Sequence, residues 1–445
     1  MSKIGVIGLW HCGEIYSAGL AELGHEVIGI DSNAEVIANF TKGIPPLPEP
    51  GLAELLKKHL ASGRFRYTSD LSALKNCDVV WCAFDTPVDD YDESDLSPIR
   101  EALLKATPFL MDGVLIVVSS QVPAGTSKEF ERYIRDARPG LKFDYVYTPE
   151  NLRLGEAVKC FLEPGRVVIG TDSDGAAKKM EEIFAPLKVP FVRMSVASAE
   201  MAKHALNAYL ATSVSFINDI ADLCEKTGAD VLDVAKALRS DPRIGQKAFL
   251  DAGLGFSGGT LGRDLKALEA VAKKANISVP VVTSVYEKNL KRKDVVATRV
   301  KALLGLPATR DSSLAMRAGG LKGVKIAILG LTYKPGTKTL RRSRALEIAA
   351  DLSKEGAILS LHDPAADESD IPEIPGANFS RDPYAVASGA KVIVIATPWP
   401  QFKELDFEKL GKAAPGAILF DTANLLVGNA DAIRSAGMKY VGMGR

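Results

Sequence analysis

Aromatic residues make up only 7% of this 445-residue chain, and there are 5 cysteines and 5 histidines. The cysteines, at 12, 77, 82, 160 and 224, are odd in number and lack metal-ligand spacing, and the histidines are scattered. This argues against a disulfide framework and a structural zinc, and reduced thiols are expected. No sign of charge prevails, with 55 Lys+Arg against 55 Asp+Glu, so no overall field draws the protein to nucleic acid or an anionic membrane. Nowhere do about eighteen apolar residues run together. The start, Met1-Ser2-Lys3-Ile4-Gly5-Val6-Ile7-Gly8, enters a strand without a signal-peptide core, which predicts a cytoplasmic protein. The length allows two or three domains.

What is present begins with the stretch Ser195 to Gly228. Ala202, Ala205, Leu206, Tyr209, Phe216, Ile217, Ile220 and Leu223 recur at the helical period, which predicts one long helix. Ser198 is expected as its N-cap, with Glu200 at the positive end of the dipole and Thr227-Gly228 as a left-handed stop. Lys203 and Asn207 interrupt this apolar helix four residues apart, on one face. Two readings stand: a lysine that snorkels beside a solvent-facing asparagine, or an ammonium that hydrogen-bonds an alcohol or carbonyl undergoing redox chemistry.

Upstream, Lys3 to Ile7 reads as a strand, Gly8-Leu9-Trp10-His11-Cys12-Gly13 as a glycine turn into a helix, and Glu26 to Ile30 as a strand ending in Asp31. This is the order of a dinucleotide site: helix-start N–H groups hold the pyrophosphate and the acid takes the ribose hydroxyls, favouring NAD over NADP. Trp10 stands where the middle glycine belongs. Cys77 to Pro87, Val114 to Thr126 and Tyr145 to Arg153 read as strands ending in polar loops, and Arg166 to Gly170 as a further strand, giving a parallel, doubly wound first domain.

Downstream, helices are expected over Val231 to Leu238, Asp264 to Asn276 and Val281 to Leu303, with a glycine-rich ligand-wrapping loop from Phe249 to Asp264 and a linker from Gly305 to Gly320. The last third repeats the opening. Lys325 to Leu331 echoes Lys3 to Leu9, and His362-Asp363 follows a strand as Asp31 does. Its loop, Gly330 to Gly336 followed by Lys338, Arg341 and Arg342, either holds a diphosphate by charge or is a solvated basic turn.

Together these stretches resemble the UDP-glucose/GDP-mannose dehydrogenase family over nearly the whole chain. The most specific parts are Glu200 to Tyr209, Thr148 to Arg153, Gly255 to Asp264 and Gly330 to Arg341. The fold implied is α/β: two Rossmann-like doubly wound domains, residues 1–193 for NAD and 309–445 for the nucleotide, joined by an all-helical domain, 194–308, with one long helix. The resemblance implies Lys203, Asn207, Asp264, Glu150 and Thr260 as catalytic positions. Gly8, Leu9, Trp10, His11, Cys12, Gly13, Asp31, Thr86, Gln121, Arg263 and Arg341 would meet the cofactor. Glu150, Leu152, Lys203, Asn207, Arg243, Phe249, Gly255 and Lys334 would meet the substrate, Arg243 in a neighbouring subunit. A homodimer through the helical domain is implied, with no metal.

Departures from the family pattern bear on chemistry. Thr260 stands where the family has a nucleophilic cysteine, and a hydroxyl needs a base to act like a thiolate. Gln121 replaces a threonine that helps hold a catalytic water, Leu154 a second glutamate, and Ala423 an arginine. The leading expectation is NAD-dependent oxidation of a UDP-sugar at C6 to the uronic acid. A single two-electron oxidation and a non-catalytic, nucleotide-sugar-binding paralogue are the alternatives.

Overall fold

A computed structural model describes residues 1–86, 94–307 and 320–445. Its contacts divide the chain into two compact units, residues 1–206 with 266–277 and residues 207–265 with 278–445.

The first unit is built on an eight-stranded sheet of order β3-β2-β1-β4-β5-β6-β7-β8. The strands are β1 (Lys3–Ile7), β2 (Glu26–Ile30), β3 (Phe65–Thr68), β4 (Val79–Cys82), β5 (Val114–Val118), β6 (Phe143–Tyr147), β7 (Val167–Gly170) and β8 (Phe191–Met194). The central strands are near-continuous apolar runs, β4 and β5 buried throughout, as a sheet covered on both faces requires. Over one face Tyr16 meets Phe161 edge-on with ring centroids 5.3 Å apart, and Trp81 meets Phe184 at 5.8 Å.

The sheet is parallel only through β6. β7 pairs antiparallel with β6 through Tyr147 and Gly170, and β8 then pairs parallel with β7, so the all-parallel expectation fails at this edge. The Thr148 hydroxyl fixes the reversal by donating to the Val168 carbonyl at 2.9 Å.

The second unit carries a six-stranded sheet, parallel throughout, of order β11-β10-β9-β12-β13-β14. Its strands are β9 (Lys325–Leu329), β10 (Ile358–His362), β11 (Ala377–Phe379), β12 (Val392–Ile395), β13 (Ile418–Asp421) and β14 (Lys439–Gly442). In both sheets the order reverses beside the first strand, where α/β folds open a ligand crevice.

The long helix spans Val196–Thr227, 32 residues, about 48 Å at 1.5 Å per residue. Gly228 ends it at φ 78°, as expected. The cap is Ser195 rather than Ser198: the Ser195 hydroxyl accepts from the Ser198 N–H at 3.2 Å. Two further helices depart from expectation. The segment 281–303 is broken into Pro280–Lys291 and Asp294–Leu303. Arg292 sits at the break, buried, with its guanidinium donating to the Gly253 carbonyl at 2.9 Å and to Asp222 at 2.5 Å, a tether that a straight helix would not place there. The helix expected from Asp264 starts at Thr260, which draws Thr260 and Arg263 out of the loop and into its first turn. Most of the linker read at 305–320, with the domain border at 308, lies outside the described residues.

Candidate active site

In the first unit, β1 ends at Gly8, whose φ of 89° a side chain would resist, and the chain turns into the helix His11–Glu22. A Cβ at Gly13 would lie 1.6 Å from the Gly8 carbonyl oxygen, so the turn closes only with glycine there. Asp31, at the end of β2, is half-buried and accepts from the Leu9 N–H at 2.8 Å and the Asn33 N–H at 2.9 Å. Trp10 occupies the N-cap, half-exposed, and caps nothing with its side chain.

The cap comes instead from Asp85, which accepts from the Cys12 N–H at 3.1 Å and from the Cys12 thiol at 3.0 Å. His11 pairs with buried Glu49 at 2.9 Å, and Glu49 also accepts from the Gly155 and Ala157 N–H groups. Burial pushes the Cys12 thiol well up, with the Glu150 and Asp85 charges adding to it. Burial likewise pushes the Glu14 carboxyl up to about 9, helped by the charges of Asp85 and Glu49. His11, Cys12 and Asp85 could offer three ligand atoms within 4.8 Å of one another, but each already has a hydrogen-bond partner. Thr86 and Gln121, from neighbouring strand ends, are brought together, the Thr86 hydroxyl donating to the Gln121 carbonyl at 2.8 Å.

Lys203 is buried. Its ammonium donates to the Glu150 carbonyl and lies 4.0 Å from the Glu150 carboxylate, while that carboxylate also accepts from the Leu152 N–H. The snorkelling reading therefore fails, because the charge ends in the interior beside a carboxylate. Two neighbours on the helix fix this position. Glu200, expected to serve its own helix dipole, instead accepts from the Gly125 N–H at 2.6 Å and the Ser127 N–H at 2.8 Å, at the start of the helix Thr126–Ala137. His204 is hydrogen-bonded to the Val122 carbonyl at 2.9 Å.

In the second unit, the buried Asn207 amide donates to the fully buried Asp264 carboxylate. Thr260 is exposed at the first position of its helix. Arg243 is exposed and paired with Asp241 at 2.7 Å, and Phe249 is exposed to about half of its surface. Gly255 has φ 84°, and a Cβ there would lie 2.3 Å from the Asn289 Oδ1. The freed space lets Asn289 bracket Phe256, accepting from its N–H at 2.9 Å and donating to its carbonyl at 3.0 Å.

That loop forms one wall of a cavity of about 330 Å³ at the strand ends beside the reversal, with Gly255, Ser257, Thr332, Tyr333, Arg344 and Ala423 among its lining. Lys334 lies 5.8 Å from the Tyr333 ring centroid, and Lys338 is drawn outward to Asp367 at 3.2 Å. Arg341 is exposed. The acid at the end of β10 differs from its counterpart on β2. Asp363 is fully buried and accepts from the N–H groups of Leu331, Thr332, Ala365 and Ala366 at 2.7–3.0 Å, and from the Trp399 indole at 3.2 Å. Burial alone would raise its pKa, but those four N–H bonds hold the carboxyl below its ordinary range. It has no oxygen left for a ribose, whereas Asp31 faces solvent in part.

Three family models match in sequence. Residues 2–188 match the NAD binding domain of the UDP-glucose/GDP-mannose dehydrogenase family, 197–291 its central domain and 327–428 its UDP binding domain. The chain belongs to that family. UDP-glucose 6-dehydrogenase of Rhizobium meliloti is 37% identical over 450 residues, covering 100% of this chain and 99% of that protein. UDP-glucose 6-dehydrogenase TuaD of Bacillus subtilis is 34% identical, covering 100% and 94%. A UDP-glucose dehydrogenase structure from Pyrobaculum islandicum superposes with a TM-score of 0.85 at 29% identity, over 99% of this chain and 97% of that one.

As a member of this family the protein takes NAD in its first sheet domain. The turn at Gly8 and Gly13 and the partly open Asp31 fit the adenosine end, but Asp85 holds one helix-start N–H that a pyrophosphate would use. Sequence reasoning missed Asp85, His204 and Arg344, and it placed Glu200 at the helix start without its partners, the Gly125 and Ser127 N–H groups.

Proposed function

We propose that this protein oxidises a nucleotide sugar, a UDP-sugar foremost, at the C6 alcohol. The buried Lys203 beside Glu150, on the helix of a dehydrogenase family, is the observation that carries the reading. NAD, when bound, supplies the hydride acceptor. The chain's own groups handle the proton and the developing charge. Lys203 donates a hydrogen bond to the oxygen as negative charge grows there, worth roughly 10²–10³ in rate for one such donor. Asn207 shares that oxygen, Asp264 takes the proton through water, and Glu150 orients Lys203. Leu152, Phe249 and Gly255 shape the sugar site, Lys334 reaches the nucleotide, and Arg263 and Arg341 approach the cofactor. Thr260, which lacks an acidic thiol, takes no covalent part.

The proposed domain division is 1–193 for NAD, 194–308 for the catalytic helix and dimer contact, and 309–445 for the nucleotide. A homodimer in the cytoplasm, feeding polysaccharide synthesis, completes the reading, and Arg243 would then reach the partner's ligand. The exposed Tyr209, Phe216 and Leu223 along one face of the long helix support the dimer.

A panel of nucleotide sugars incubated with NAD tests the reaction through NADH formed per sugar consumed. Two per sugar fits the acid, and one fits a reaction that halts at the aldehyde, the second reading, favoured by Thr260. No turnover with binding intact would mark a paralogue that only binds.

A further inference from the structure

The loop after β9 leads into the helix Arg344–Lys354, eleven residues long and capped by Ser343, whose hydroxyl accepts from the Leu346 N–H. The first N–H groups of such a helix have no partner within it and carry the positive end of its dipole. Those of Arg344 and Ala345 have no hydrogen-bond partner among the described residues, and both residues line the 330 Å³ cavity. Arg344 adds a full charge. It is only 7% exposed, and among the described residues its Nε has no partner and its one ion pair runs at 2.5 Å to Glu347. A guanidinium left with a buried, unmatched N–H costs stability unless a ligand completes it. Nearby the cavity offers Ser257, Thr332 and Tyr333, and it sits at the strand-order reversal between β9 and β12.

We propose that Arg344, with the free N–H groups of residues 344 and 345, is the phosphate-reading element of this cavity, gripping the diphosphate of the nucleotide substrate. The assignment rests on the nucleotide-sugar reading for the identity of the ligand, but the anion chemistry is its own. A planar fork with spare N–H donors at a helix start matches two phosphate oxygens at once, which the ammonium of a lysine does not. Glu347, in the same first turn and paired with Arg344, holds the fork in place and is expected to loosen when phosphate arrives.

Calorimetric titration of the full chain with UDP, uridine and inorganic pyrophosphate tests it, on wild type and on Arg344→Met and Arg344→Lys. Arg344→Met should weaken UDP and pyrophosphate at least tenfold and leave uridine within twofold, and Arg344→Lys should recover part of the loss. Equal weakening of UDP and uridine would reduce Arg344 to a packing role and overturn the assignment, as would unchanged UDP affinity, which leaves the dehydrogenase reading intact. Pyrophosphate binding that depends on Arg344, in a protein indifferent to uridine, would uphold the assignment and sink the uridine-nucleotide reading instead.

Discussion

Substituting Asp363 by asparagine removes one oxygen from a buried carboxylate that serves six donors in all, four backbone N–H groups, the Thr332 hydroxyl and the Trp399 indole. Oδ1 accepts from Ala365 and Ala366, and Oδ2 takes the rest, so the new amide group is best placed toward Ala365 and Ala366. Two N–H groups, that of Ala366 buried and that of Ala365 part-buried, then face a donor. At about 1–3 kcal/mol for each donor left unsatisfied, local stability of the loop should fall by ~4 kcal/mol, about 10³ in the opening equilibrium. Hydrogen exchange followed by mass spectrometry on peptides covering 329–333 and 363–367 reads this directly. A second signature follows from the depressed carboxyl. Its stabilisation is present in full above the unfolded value of 3.8 and is lost as pH falls below that through the folded value. The asparagine variant should lack this acid-side loss. Exchange within threefold of wild type in both peptides would refute the claim that Asp363 holds the loop, and with it the account of why this acid is closed to a ribose.

Lys203→Ala should lower turnover by about 10² or more while NAD affinity holds, measured by steady-state kinetics and direct titration; a variant at wild-type rate would end the oxyanion role. Thr260→Ala should keep most of the activity, and intact-mass measurement during turnover should detect no sugar adduct at that position; a thousandfold loss would make the threonine a base-activated nucleophile. Phe216→Glu with Leu223→Glu should shift the protein to the mass of one chain in sedimentation, since both are exposed apolar side chains on the long helix; an unchanged mass would place the contact elsewhere.

Much of this fold is dictated locally. The Gly8 turn, the β2 acid and the second sheet that repeats them follow from rules that act within about thirty residues, where strand, turn and helix constrain one another. The long helix was legible for the same reason, its period being its own. What eluded the sequence depends on partners far along the chain. Asp85 reaches Cys12 across 73 residues, and Glu200 reaches Gly125 across 75. The reversal at β7 was hidden because a four-residue buried strand carries no mark of its direction. The break at Arg292 was hidden because its cause, the Gly253 carbonyl, lies in another segment. Lys203 and Asp264 could be named from the resemblance, but their burial and their partners, Glu150 and Asn207, came from the structure.

The grip of Glu200 on the Gly125 and Ser127 amides makes tolerance to mutation travel in an unexpected direction. Glu200 and Lys203 lie three residues apart on one helix, so a shift in the loop 123–127 that moves Glu200 is expected to move the ammonium with it. Ordinary surface loops absorb sequence drift. This one would transmit it, so conservative changes near Gly125 should register as errors in the aim of a side chain they never touch.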